Sequence, residues 1–243
     1  MTVSVTRLQT FFGGLDALPL IRVMAKEEFP GEIAVVSSFG ADAVVLLALV
    51  AEVDPTIPVL FLETEKHFPE TLDYVNEVIH CLGLKDVRML RPDPNLVNNI
   101  DKQGDLWSYQ PNRCCWLRKV EPLDREIARS GLRALITGRK RFQTKDREDM
   151  DSIEIDEKGI FKINPQFSWT KDDVTREMEK RNLPKHPLVD KGYLSIGCAP
   201  CTRPVKSGED ERAGRWAHTA GFPGGEQKQE CGLHVPQDAD WSV

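Results

Sequence analysis

A β-branched run from Ile33 to Ser38 (IAVVSS) leads into a polar turn, Phe39-Gly40-Ala41-Asp42. An apolar helical stretch from Ala43 to Val53 and a second apolar run, Pro58 to Glu63 (PVLFLE), follow. Two strands joined through a helix run parallel, because a tight hairpin can only reverse the chain. The pattern then repeats. Pro69 to Leu82 places Leu72, Val75, Val78 and Ile79 at helical spacing. Val87 to Leu90 and Ala134 to Thr137 read as further strands. Between them, Arg91 to Gln110 reads as a loop or partly helical excursion. Cys114 to Ser130 reads as a helix that kinks or restarts at Pro122. Phe161 to Asn164 leads to Pro165 and a helix from Thr170 to Arg181, with acidic residues in its first turn. The expected class is α/β, a Rossmann-like parallel sheet with helices on both faces.

Length and charge narrow what such a fold could do. The 243 residues suit one large domain or two small ones. A net charge of −6 argues against a general nucleic-acid coat, yet leaves room for a local basic pocket. The longest apolar run, Ala41 to Val53, is too short to cross a bilayer, so no membrane partner is expected. The first ten residues lack a signal peptide's basic start and apolar core. The expected location is the cytoplasm, where cysteines serve as thiols, ligands or catalysts rather than disulfides. From Pro184 onward the chain is rich in proline, glycine and charge, and Gly208 to Val243 reads as a mobile tail behind a body spanning 1–207.

Four features carry chemistry. The turn after Ile33 to Ser38 sits where free backbone N–H groups at a helix start attract an anion, but it lacks the Gly-Lys-Ser/Thr ending of a Walker loop. Six cysteines are present, and four of them form two pairs, Cys114-Cys115 and Cys198-Ala199-Pro200-Cys201. Four thiolates suit zinc or an iron–sulfur cluster. Adjacent cysteines on a helix diverge by roughly 100°, an awkward grip on one tetrahedral ion and an easier one on a larger cubane. Cys231, in Glu230-Cys231-Gly232-Leu233-His234, stands apart in the polar tail. It is either plain surface or a nucleophile. Cys81 reads as a helix or core thiol. Finally, cations gather at Arg118-Lys119, at Arg139-Lys140-Arg141 with Lys145 and Arg147, and at Arg203, Arg212 and Arg215. Guanidinium forks match phosphate and sulfate oxygens.

Several of these segments resemble, in order, the motifs of assimilatory adenylylsulfate (APS) reductases, members of the PAPS/APS reductase family. They are Arg113-Cys114-Cys115-Trp116-Leu117-Arg118-Lys119, Gly197-Cys198-Ala199-Pro200-Cys201-Thr202-Arg203, Gly208 to Trp216 and Glu230 to His234. The resemblance implies an adenine-nucleotide α-hydrolase-like fold. It also implies reduction of APS to sulfite and AMP, with thioredoxin or glutaredoxin as partner. Cys231 would be the nucleophile that carries an S-sulfonate, and Cys114, Cys115, Cys198 and Cys201 would ligate one 4Fe-4S cluster. Lys119, Arg147, Arg212, Arg215 and His234 would meet the phosphosulfate, and Ser38, Leu62 and Gly138 the adenosine. The implied division is a nucleotide-binding and cluster domain over 1–207 and a catalytic-cysteine tail over 208–243. A homo-oligomer is compatible with this reading.

Competing expectations are a PAPS or dual-substrate reductase, a tRNA-thiolating enzyme, and a zinc-stabilised nucleotide-binding module. The four paired cysteines favour APS over PAPS within the family. The turn lacks the SGGxDS form of ATP-cleaving relatives, which counts against tRNA thiolation.

Overall fold

The computed structural model describes residues 3–221, 228 and 230–233. The chain divides into two compact units interleaved in sequence. The first comprises Met1–Phe61, Val75–Arg88 and Ile127–Pro184; the second comprises Leu62–Tyr74, Met89–Glu126 and Lys185–Val243.

The strands are β1 (Ile33–Ser37), β2 (Val59–Leu62), β3 (Val87–Leu90), β4 (Ala134–Thr137), β5 (Ile153–Ile155) and β6 (Phe161–Ile163). They form one sheet in the order β3-β2-β1-β4-β6-β5. β1 lies parallel to β2 and β4, and β4 parallel to β6. The expected parallel sheet therefore forms, with an addition: β5 pairs antiparallel to β6 and closes one edge. Its hairpin turns at Asp156, whose carboxylate accepts the N–H groups of Lys158 and Ile160.

The helices are α1 (Val5–Phe12), α2 (Ala17–Val23), α3 (Ala43–Val53), α4 (Pro69–Leu82), α5 (Pro94–Ile100), α6 (Pro111–Cys115), α7 (Glu121–Ser130) and α8 (Lys171–Lys180). α3 is buried from Val44 to Val50, as an apolar surface on every side of a helix requires. α8 starts at a reciprocal cap: Thr170 Oγ1 accepts from the Asp173 N–H, and the Asp173 carboxylate accepts from the Thr170 N–H. The helix expected over Cys114 to Ser130 is built in three pieces. α6 ends at Cys115, a π turn covers Trp116–Val120, and α7 begins at Glu121. Pro122 is accommodated near the start of α7, where a missing N–H costs little. Arg91 to Gln110 resolves into α5 and a short 3₁₀ turn at Leu106–Ser108. Cys81, expected within a helix or core, sits on α4 with its side chain exposed.

Strand order places a topological switch beside β1, since the chain runs from β1 to β2 and β3 on one side and then returns to β4 on the other. Ser38 follows β1 and Gly138 follows β4, whose ends are in register at Val36 and Thr137. The turn between them and α3 is held from within. Phe39 adopts φ +48°, its N–H donates to Ser37 Oγ at 3.1 Å, and its ring meets Phe61 edge-on at 5.3 Å. Burial of that ring offsets the strain of a left-handed phenylalanine.

Candidate functional site

The second unit has a sulfur-rich interior. Cys115, Cys201 and the 2% exposed Trp216 form one buried group, against which Trp107, Cys198 and Cys231 pack. Cys114 packs instead with Leu106 and Leu117. The adjacent thiols therefore diverge into two packing groups, as helix geometry demands. Both nevertheless border one recess, together with Cys198, Cys201, Lys119 and Arg215. Among the described residues, no three His, Cys, Asp or Glu side chains converge as the ligands of a single metal ion would.

Backbone pairing sets the walls of the recess. The Trp216 N–H donates to the Cys201 carbonyl at 2.8 Å, the Arg203 N–H donates to the Gly214 carbonyl at 3.0 Å, and Thr202 bridges Arg215. The segment expected to be a loose tail thus begins inside the packed unit, while 222–227, 229 and 234–243 lie outside the described residues. Gly197 has a steric role here: a Cβ at that position would come within 2.3 Å of the Arg215 guanidinium. That guanidinium lies 4.4 Å from the centre of the Trp216 ring and donates to the Ile196 carbonyl at 3.1 Å. Lys119 Nζ approaches the same ring at 5.8 Å and Lys228 Nζ at 5.7 Å. One indole carries three cations.

The sulfurs and cations are electrically coupled. Burial, and next the charges of Cys115 and Cys198, push the Cys114 thiol up to about 12. Burial and the same kind of sulfur repulsion push Cys201 up to about 12. Burial raises Cys115 as well. At Lys119 burial favours loss of the proton, but the charges of Cys198, Cys115 and Cys231 outweigh it and hold the ammonium above its ordinary range.

Beneath the recess lies a buried ion pair. Arg118 Nη2 donates to Asp101 Oδ2 at 2.7 Å, with the two side chains 3% and 0% exposed. Its Nη1 donates to the Thr64 carbonyl and to Glu65 Oε2, each at 2.9 Å. The Thr64 hydroxyl lies 3.3 Å from Cys198 Sγ. Of the neighbouring cations Arg118 and Lys119, the first is structural and the second faces the sulfurs. Asp101 and Lys228 carry no sequence signal, and Trp216 closes the Gly208 to Trp216 motif without a role that the sequence assigns.

The remaining sequence candidates separate by unit. Arg212 and Arg215 lie in the second unit, and Leu62 ends β2. Ser38, Gly138 and Arg147 belong to the first unit. There the basic run after β4 is largely committed to its own fold. Lys140 Nζ donates to Asp42 at 2.7 Å and is 1% exposed, and Arg139 binds Glu154 at 2.7 Å and the Asn164 side-chain oxygen at 3.1 Å. Arg147 donates to the Gln143 side chain. His234 lies outside the described residues. No described helix is long and apolar enough to cross a membrane.

Comparison with known proteins adds the following. The family model described as phosphoadenosine phosphosulfate reductase domain matches residues 32–204. An adenosine 5′-phosphosulfate reductase of Mesorhizobium japonicum is 45% identical over 228 residues, covering 94% of this chain and 86% of that protein. One from a Chelativorans species is 42% identical, covering 96% and 92%. The crystal structure of phosphoadenylyl-sulfate reductase from Candida auris, a phosphate complex, aligns with a TM-score of 0.69 at 26% identity, covering 84% of this chain and 99% of that one.

The buried Arg118–Asp101 pair and the buried His186 ring each give a measurable outcome. Replacing Arg118 by Met leaves Asp101 buried and uncompensated, at a cost of about 3–5 kcal/mol. Chemical denaturation of Arg118→Met should show that loss, and the double variant with Asp101→Leu should recover most of it. Separately, His186 is fully buried, with Nε2 3.0 Å from Thr71 Oγ1 and with Nδ1 accepting from the Leu188 N–H at 3.2 Å. The ring is therefore neutral with its proton on Nε2, and burial lowers its pKa from 6.5 to about 4. Because the unfolded chain binds that proton first, the contribution is complete above pH 6.5 and is lost as pH falls toward about 4. The loss is on the order of 3 kcal/mol. Denaturation midpoints of wild type and His186→Gln between pH 7.5 and 4.5 should converge as the solution is acidified.

Proposed function

The chain belongs to the phosphoadenosine phosphosulfate reductase family and is an oxidoreductase of the adenylylsulfate-reducing kind; from that premise we propose that it uses a thioredoxin or glutaredoxin dithiol and proceeds through a Cys231 S-sulfonate. The observation that carries this reading is the packing of Cys231 against the buried group of Cys115, Cys201 and Trp216, three residues that line the recess Lys119 and Arg215 border.

The steps follow from thiol chemistry. The Cys231 thiolate attacks the sulfonyl sulfur of APS, an S–S bond forms, and the S–O bond to phosphate breaks. Its electron pair leaves with AMP. A donor thiolate then attacks Cys231 Sγ, and the S–S bond to the sulfonate breaks to release sulfite. The second donor thiol closes the donor's disulfide and frees Cys231. Sulfur gains two electrons, and the dithiol loses two. Negative charge builds on the sulfonyl oxygens and on the departing phosphate. Lys119, Arg212 and Arg215 are the cations assigned to it, with Arg147 and His234 as further phosphosulfate contacts. Each well-placed donor is worth about 3 kcal/mol in the transition state. Ser38, Leu62 and Gly138 are assigned to adenosine.

Cys114, Cys115, Cys198 and Cys201 would hold one 4Fe-4S cluster. The donor set fits it on two grounds. Burial and mutual sulfur repulsion disfavour thiolates at Cys114 and Cys201, so holding them as thiolates calls for a positive core. The sulfurs border one recess without converging on a point, which suits several irons better than one zinc. When bound, the cluster supplies a rigid anionic anchor for the two cysteine motifs. The division into a body over 1–207 and a catalytic-cysteine tail over 208–243, a cytoplasmic setting and a homo-oligomer belong to the same reading.

A second reading, acceptance of phosphoadenylylsulfate as well, draws on the Candida auris likeness; kcat/KM for the two nucleotides separates the readings. For the main reading, Cys231→Ser should keep its iron and its APS binding yet release no sulfite. Lys119→Met should lower kcat/KM for APS about a hundredfold. Sulfite release by Cys231→Ser at the wild-type rate would refute the mechanism.

A further inference from the structure

Lys228 stands three residues before Cys231 and is tied down at both ends. Its backbone N–H donates to Thr219 Oγ1 at 2.9 Å, and that hydroxyl, 3% exposed, donates onward to the Trp216 carbonyl at 2.8 Å. Its ammonium donates to Asn112 Oδ1 and lies 5.7 Å from the Trp216 ring centre. Asn112 sits on α6, the helix that bears Cys114 and Cys115. Trp216 is bonded through its N–H to Cys201. One lysine thus joins the segment carrying Cys231 to both paired-cysteine motifs. The sulfurs of Cys115 and Cys231 also act on it electrostatically.

We propose that Lys228 is a positioning residue that seats Cys231 against the sulfur recess in one orientation, fixed by its bond to Asn112 and its approach to Trp216. The role in turnover rests on the proposed function, while the seat itself is a property of the fold. The combination suits the task. A hydrogen bond to a neutral amide and a cation–π contact are each modest, so the segment is aligned without being locked.

The test uses the iron-loaded protein as wild type, Lys228→Met, Lys228→Arg and Asn112→Ala. Hydrogen exchange of the amides at 228 and 230–233 should quicken about tenfold in Lys228→Met and rise in Asn112→Ala, with Lys228→Arg close to wild type. With APS and a dithiol donor, Lys228→Met should lose about tenfold in kcat with little change in KM, and Lys228→Arg should recover most of it. Unaltered exchange in Lys228→Met overturns the seat, whatever the kinetics. Faster exchange with unaltered kcat overturns the positioning role. Wild-type protein that makes no sulfite from APS would count against the proposed function, and the exchange result would still decide the seat.

Discussion

The Arg118–Asp101 pair is the contact on which the sulfur site depends. One guanidinium takes the Asp101 carboxylate at the end of α5, the Thr64 carbonyl after β2 and the Glu65 carboxylate. The Asp101 carboxylate also accepts the Leu106 N–H at 3.0 Å. Thr64 in turn reaches Cys198. Two stretches remote in sequence, 64–65 and 101–106, are thereby fixed relative to the two cysteine motifs. A charge buried this deeply is tolerable only when its partners satisfy nearly every donor, and here they do. The arrangement also frees Lys119. With its neighbour consumed by structure, Lys119 is the member of that adjacent pair that answers the sulfurs, beside Arg215.

The sulfur recess and its cations stabilise one another. Burial would deprotonate an isolated Lys119 and would keep isolated thiols neutral. Placed together, sulfur charge favours the ammonium, and Lys119 and Arg215, both lying over the Trp216 ring, supply the positive charge that balances thiolates. This is the environment that the proposed displacement at sulfur would require, since such a step moves negative charge from a thiolate to sulfonyl and phosphate oxygens. Glycine at 197 makes the arrangement possible, because the Arg215 guanidinium occupies the space a side chain would need.

The parts legible in sequence were those governed by local pattern. β1, α3, β2 and α4 announced themselves through apolar runs and helical spacing, and the capping of α8 through Thr170 and Asp173. The paired cysteines were legible because the residue is scarce and its spacing specific. What stayed hidden was decided by tertiary partners. α1 is only eight residues long, and the three-residue β5 exists through its pairing with β6. The run Arg139-Lys140-Arg141 looked like an anion site, yet Lys140 answers Asp42 and Arg139 answers Glu154 and Asn164. A charge in sequence does not name its partner. The same limit concealed Asp101 and Lys228, each ordinary until the fold sets it beside sulfur or arginine.

The claim at the centre of this account is a division among thiols, four that hold and one that attacks. Peptide mass mapping of the iron-loaded protein, after incubation with APS and no reductant, addresses it most directly. The account predicts a sulfonate on Cys231, lost on adding a dithiol with release of sulfite. A sulfonate on Cys114, Cys115, Cys198 or Cys201 instead, or sulfite formed while Cys231 stays unmodified throughout, would contradict it.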